Sequence, residues 1–324
     1  MDIYVKKAII HQFSPDDTDL YLADKFLNIT PKIEEYLRKK IERVYSDEAR
    51  TGIFEEDNPF LEMISDDLLE TSVAVANRWK EEFVVSENQK TNDLVFVEFS
   101  KEGVDHFAFL RIALRETLTH LGGEVDNPIK LTQNNLPGFG TGADEALVIN
   151  LQSRKYHLIE KRIKYNGTFL NYFSENLLQA QPKISPKKSI KALEKTAQKI
   201  AESFNTDDFQ FHSKVKSAIF NHIEEENKLS PEKLADDLFD DNLTARLSFI
   251  DQVKEAVPEP VTFEEIDASR QLKKFENQKL SLSNGIELIV PNNVYEDAES
   301  VEFILNDNGT YSILIKNIED IQSK

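Results

Sequence analysis

Apolar and polar positions alternate from the start of the chain. Ile3, Val5, Ala8, Ile10 and Phe13 predict a strand over 3–13, closed by the turn Ser14-Pro15-Asp16-Asp17. The spacing then becomes helical. Thr30-Pro31 starts a helix that runs to about Tyr45, with Ile33, Leu37, Ile41 and Val44 on one face. A longer helical pattern covers Phe60 to Phe83, and Trp79 within it reads as a core residue. Leu94-Val95-Phe96-Val97 and Phe107-Ala108-Phe109-Leu110 flank the turn Lys101-Glu102-Gly103 as an antiparallel hairpin. Asp126 to Gly142, rich in Asn, Pro and Gly, predicts a mobile loop. Ala146 to Leu151 and His157 to Ile163 form a second hairpin pattern around Ser153-Arg154-Lys155, and Asn166-Gly167 marks a turn.

From Phe169 to about Val257 the pattern is nearly all helical, with breaks near Pro182, Asn205, Ser230 and Asp240-Asp241. Pro258-Glu259-Pro260 reads as a linker. Strands follow at Leu280-Ser281-Leu282, Ile286 to Val290, Val301 to Leu305 and Thr310 to Ile315, the last two joined by Asn306-Asp307-Asn308-Gly309. The expected fold is therefore α+β: an antiparallel-sheet N-terminal domain over 1–168, a helical middle over 169–257, and a linker with a small β-rich C-terminal module over 258–324.

Composition adds exclusions. At 324 residues, 40% hydrophobic and 30% charged, the chain can bury a substantial core. No apolar run is long enough for a membrane span, and Met1 to Lys7 lacks the apolar core of a signal peptide. Without cysteine there is no disulfide, thiolate nucleophile or cysteine–zinc site. A bacterial-style cytoplasmic protein is expected, with no cofactor and no membrane partner.

Charge changes the picture more. The formal net charge is −19, yet Arg154, Lys155, Lys161, Arg162, Lys164, Lys183, Lys187, Lys188, Lys191, Lys195 and Lys199 face only Glu160, Glu175 and Glu194 within 154–199. Surface fields fade over roughly 8 Å at physiological salt, so a local basic face can hold a polyanion that the average field repels. The second half of this stretch has sharper geometry. Ser185-Pro186 reads as a helix start, and Ile190, Leu193, Ala197, Ile200 and Phe204 recur as one apolar stripe. Lys187, Lys188, Lys191, Lys195 and Lys199 fall on the opposite side. Lysines crowd the helix's amino end, where the dipole favours anions, and a bound phosphate would relieve that conflict. A solvated lysine face is the bland alternative.

Enzyme signatures are weak. Gly138-Phe139-Gly140-Thr141-Gly142 lacks the ending and the context of a phosphate loop. The six histidines show no short metal-ligand spacing, and no metal site is expected. Asp144 with Glu160-Lys161-Arg162 suggests a nuclease core, but such cores place a carboxylate and a lysine two apart on one strand face. Arg162 occupies that position here, so Glu160 reads as a cross-strand partner for nearby cations.

Three ordered blocks carry a resemblance: Arg43-Val44-Tyr45-Ser46 through Gly52-Ile53-Phe54, Tyr165-Asn166-Gly167 through Tyr172-Phe173-Ser174-Glu175-Asn176, and Arg270-Gln271-Leu272-Lys273-Lys274-Phe275 through Gly285-Ile286-Glu287-Leu288. Together they span essentially the whole chain, which resembles the bacterial nucleoid-associated protein family of about 37 kDa. The resemblance implies a cytoplasmic, nucleoid-located protein that binds DNA without known enzymatic activity. It transfers no active-site motif, so the candidate contacts rest on charge and periodicity. They are the eleven basic residues above, with Arg270, Lys273 and Lys274 as additions. Lysine-dominated contacts position phosphates and read few bases, so duplex DNA bound with little sequence preference is the expected partner. One rival is a scaffold that recruits a basic protein through acidic 224–241; another is the nuclease. Homo-oligomerisation stays open.

Overall fold

Seven antiparallel strands frame the first part of the molecule. The computed structural model describes residues 2–16, 18–84, 90–120, 129–165, 167–206, 208–263 and 265–322, in two compact units, Met1–Ser185 and Pro186–Lys324. In the first, β1 (Ile3–Ser14) and β2 (Asp19–Tyr21) precede α1 (Pro31–Glu42), β3 (Arg50–Ile53) and α2 (Leu68–Phe83). Then come β4 (Asn92–Lys101), β5 (Val104–Ala113), β6 (Arg115–His120), β7 (Ile129–Asn135), β8 (Glu145–Asn150), β9 (Lys155–Ile159), β10 (Ile163–Tyr165) and β11 (Thr168–Leu170). The large sheet has the order β2-β1-β4-β5-β8-β9-β3, every neighbour antiparallel.

Both faces of this sheet are covered, so its central strands are apolar at successive positions instead of alternating. Leu94, Phe96, Phe107, Phe109, Leu147 and Ile149 pack with Val75, Ala76 and Trp79 of α2. The opposite parity, Val95, Val97, Ala108, Leu110, Ala146 and Val148, packs with Leu37 and Ile41 of α1. A bulge between Val5 and Lys7 resets β1, so that Val5 and Ala8 share one face although their numbers differ in parity.

The mixed α+β class stands, with a large antiparallel sheet first and helices after it. Several boundaries moved. The helix expected from Phe60 begins only at Leu68, because the Asp67 side chain accepts from the Leu69 N–H at 2.9 Å and caps it there. Within the expected 126–142 loop, residues 126–128 lie outside the described residues and Ile129–Asn135 is a strand paired with β6. Its Ile129 and Leu131 are exposed, so a short alternation was hidden among Asn and Gln. Between Phe169 and Ser185 the chain is not a helix of the usual kind: β10 and β11 pair, a π-helical turn spans Phe173–Leu177, and an extended segment follows.

The second unit contains α3 (Pro186–Ser203), α4 (Phe209–Glu226), β12 (Lys228–Leu229), α5 (Pro231–Leu238), α6 (Leu243–Ala256), β13 (Val261–Thr262) and α7 (Ser269–Phe275). Two hairpins complete it: β14 (Asn277–Ser281) with β15 (Glu287–Pro291), then α8 (Asn292–Tyr295), then β16 (Val301–Leu305) with β17 (Tyr311–Ile315). Ile190, Leu193, Ile219, Leu234, Phe249 and Phe275 share one core. Asn227 ends α4 in the left-handed region at φ 48°, a conformation asparagine tolerates, and turns the chain into β12. The proline pair at 258 and 260 leads straight into β13, which pairs with β12 while Val257, Val261 and Phe263 are buried.

Candidate nucleic-acid interface

The basic stretch divides at the boundary between the two units, and its two halves differ in what their charges do. In the first unit the cations are engaged. Arg154, in the left-handed region at φ 59°, pairs with Glu56 at 3.0 Å. Lys161 pairs with Asp144 at 3.0 Å, and Arg162 donates to the Phe169 carbonyl at 2.7 Å. Lys155, Lys164 and Lys183 are exposed and also have interaction partners.

The carboxylates are likewise committed to different neighbours. The Glu160 carboxylate takes an ion pair from Arg50 on the adjacent strand, and bonds from the Ser174 N–H at 3.0 Å and hydroxyl at 2.9 Å. Burial pushes Glu160 above its ordinary value, outweighing the opposing pull of Ser174 and Arg50. Asp144 is pushed up by burial too, but the Ala113 N–H at 2.9 Å and Lys161 outweigh this and leave it lowered. Among the described residues, no three histidine or acidic side chains converge in a way that could hold a metal ion.

In the second unit α3 begins at Pro186, as the proline's fixed φ favours. Ile190, Leu193, Ala197, Ile200 and Ala201 are buried, while Lys187, Lys188, Lys191, Lys195 and Lys199 are exposed. Lys187, Lys191, Lys195 and Lys199 are four apart, so they form a row stepping about 6 Å and running about 18 Å along the helix. Lys199 donates to Gln252 of α6 at 3.2 Å, and Lys187 has a partner as well. Lys188, Lys191 and Lys195 have no ion-pair partner among the described residues. Lys274 of α7 reaches α3 by pairing with Glu194 at 3.2 Å, which joins it to this helix and neutralises the helix's acid. Arg270 and Lys273 lie exposed on the same α7.

Four acids of the segment 224–241 are engaged locally. Glu226 pairs with Lys233, Asp236 with Arg246, Asp237 with His222 and Asp240 with Lys214. None of these contacts involves Lys188, Lys191 or Lys195.

Sequence reasoning missed three polar clusters, two buried and one half-buried. Arg111 donates to Glu145 at 2.6 Å and to Asn92 at 2.9 Å; Tyr172 also donates to Glu145 and accepts from the Trp79 indole at 3.0 Å. Burial, reinforced by the Glu145 carboxylate, holds the Tyr172 hydroxyl far above its ordinary value, so it remains a donor. Lys40, fully buried, donates to the carbonyls of Gly138 at 2.9 Å, Thr141 at 2.5 Å and Pro137 at 3.3 Å. It thereby clamps the glycine-rich segment that superficially suggested a phosphate loop. Third, Arg50 ties Glu160 and Ser174 to the Pro182 carbonyl at 2.9 Å. The signal for it was present, since Arg50 and Ser174 lie in the first two family-like blocks. Gly52 in the first block faces Tyr156 so closely that an added Cβ would sit 2.3 Å from the hydroxyl oxygen.

Among the described residues no helix is long and apolar enough to cross a membrane. A search of curated proteins returns no match. A family model described as nucleoid-associated protein YejK matches residues 9–321. The chain belongs to that nucleoid-associated family and takes from it a nucleoid-associated role.

Proposed function

We propose that this protein binds double-stranded DNA with little sequence preference, through the lysine face of α3 extended by Arg270, Lys273 and Lys274 of α7. The observation that carries the reading is the exposed Lys188, Lys191 and Lys195 row side, which has no acidic partner in a chain of net charge −19. Carboxylates are abundant enough that these lysines could have been neutralised, as Arg154 and Lys161 of the first unit are. An 18 Å row runs beside roughly ten backbone charges of a duplex, so each lysine meets phosphate without reading a base. The role is binding, with no catalytic step; Asp144 and Glu160 serve the fold through separate partners.

Titration of a labelled duplex at several salt concentrations tests this. Affinity is expected to fall linearly with the logarithm of salt, and duplexes of unrelated sequence to differ far less than the roughly thousandfold of base-reading proteins. Affinity that is insensitive to salt, or absent at low salt, contradicts the proposal.

A further inference from the structure

The second unit holds a cleft of about 920 Å³ between its two hairpins, floored by α4. Leu280, Leu282 and Leu288 line it from the first hairpin, Ile313 and Ile315 from the second, and Phe209 from α4. Leu280, Leu282 and Leu288 stay partly exposed and lie together along one cleft, and a contiguous apolar groove of this kind marks an interaction site where scattered exposed leucines would not. In this acidic protein the lining contains Lys216 and Lys279 and no carboxylate. Neither lysine has an ion-pair partner among the described residues.

Lys279, Leu280, Ser281 and Leu282 line the cleft consecutively. Successive residues of a strand point to opposite faces, so a cavity bordered by all of them is bordered by the strand's edge. That edge is open, because β14 pairs only with β15 among the described residues. The Leu282 N–H donates to the Ile286 carbonyl and the Asn292 N–H to the Glu276 carbonyl, which fixes the hydrogen-bonded pairs at even-numbered positions. The alternation of an antiparallel pair therefore turns the N–H and C=O of Lys279 and Ser281 outward, toward the open edge.

We propose that this cleft is a docking site for an extended peptide segment of a partner protein, one in which acidic and aliphatic residues alternate. The segment adds a strand to the outer edge of β14, bonds the Lys279 and Ser281 backbone, lays its aliphatic side chains on the leucines and Ile313, and sets its carboxylates against Lys216 and Lys279. A single-stranded nucleic acid fits less well. Phe303, Tyr311 and His212 also line the cleft, but the open β14 edge selects a ligand whose own backbone N–H and C=O groups can extend the strand, and a nucleotide chain has none.

Selection of a random-peptide display library on the full chain tests the site. Peptides with Asp or Glu alternating with Val, Ile or Leu are expected, and the double variant Lys216→Glu, Lys279→Glu is expected to select Lys or Arg at the same positions. A labelled synthetic copy of the selected peptide should lose about tenfold in affinity to Ser281→Pro, which deletes an outward N–H that the hairpin itself does not use. Leu280→Asp, with folding checked by thermal melting, should lose at least as much. No consensus, a consensus without acids, one unchanged by charge reversal, or binding indifferent to Ser281→Pro and Leu280→Asp each overturns the proposal. So does a short oligothymidine that binds and is lost in the same variants, which would reassign the cleft to single-stranded nucleic acid.

Discussion

The two halves of the basic stretch carry the same formal charge, +4 each (six cations against two acids, five against one), and differ in what that charge meets. Arg154, Lys161 and Arg162 in the first unit are held by Glu56, Asp144 and the Phe169 carbonyl, whereas Lys188, Lys191 and Lys195 on α3 have no ion-pair partner among the described residues. A count of lysines and arginines cannot separate the two cases. What separates them is whether the fold supplies a carboxylate within reach. In the first unit the strand pairing does so: the register that sets Arg50 opposite Leu158 also brings it to Glu160. On α3, Glu194 turns to Lys274, and Lys188, Lys191 and Lys195 have no ion-pair partner among the described residues. Charges of the first kind hold the fold, and those of the second kind are available to a ligand.

The sharpest way to break this comparison is to remove a charge that should matter for folding alone. Glu145→Ala leaves the buried Arg111 without its counter-charge, with Asn92 still bonded, and Tyr172 without its acceptor, and should cost about 3–5 kcal/mol in urea unfolding. The salt slope of duplex binding by the remaining folded protein should not move. Gly52→Ala forces a methyl group against the Tyr156 ring and should cost about 1–3 kcal/mol, again without a binding effect.

Much of this architecture was legible in the sequence. The amphipathic stripe of α3, the hairpin β4–β5, the helix start at Thr30-Pro31 and the break at Ser230 follow from local spacing, which the tertiary structure did not override. The parts that were not legible depend on partners distant in sequence. Lys40 on α1 looks like one more lysine on a polar helix face until the 137–141 segment folds over it, 97 to 101 residues later. Ile129–Asn135 was hidden because a strand exposed on both faces shows little apolar alternation. The lysine row was visible, but that Lys188, Lys191 and Lys195 have no ion-pair partner among the described residues is a three-dimensional fact.

Lys40 gives a subtler contrast with the α3 lysines, because burial, with help from Arg43 and Arg115, pulls it down to about 8 from its ordinary 10.5. Between those values the unfolded chain binds the proton that the folded chain has released, so stability should rise with pH across that window. The melting temperature of the wild type relative to Lys40→Met should therefore increase from pH 8 toward 10.5, and a flat difference would place the ammonium in solvent. Smaller still is the effect of Arg154→Gln, Lys161→Gln and Arg162→Gln together. Each exposed contact is worth about 0–1 kcal/mol, so the triple variant should melt close to the wild type and change the binding slope far less than loss of the α3 row.

The measurement that tests the division most directly is the salt dependence of duplex binding by the variant Lys187→Gln, Lys188→Gln, Lys191→Gln, Lys195→Gln. All four side chains lie on the exposed face of α3, so the variant should fold normally by circular dichroism. Loss of four phosphate contacts should flatten the slope of log affinity against log salt by roughly 3–4 units. An unchanged affinity and slope in the folded variant would contradict the assignment of DNA binding to this helix.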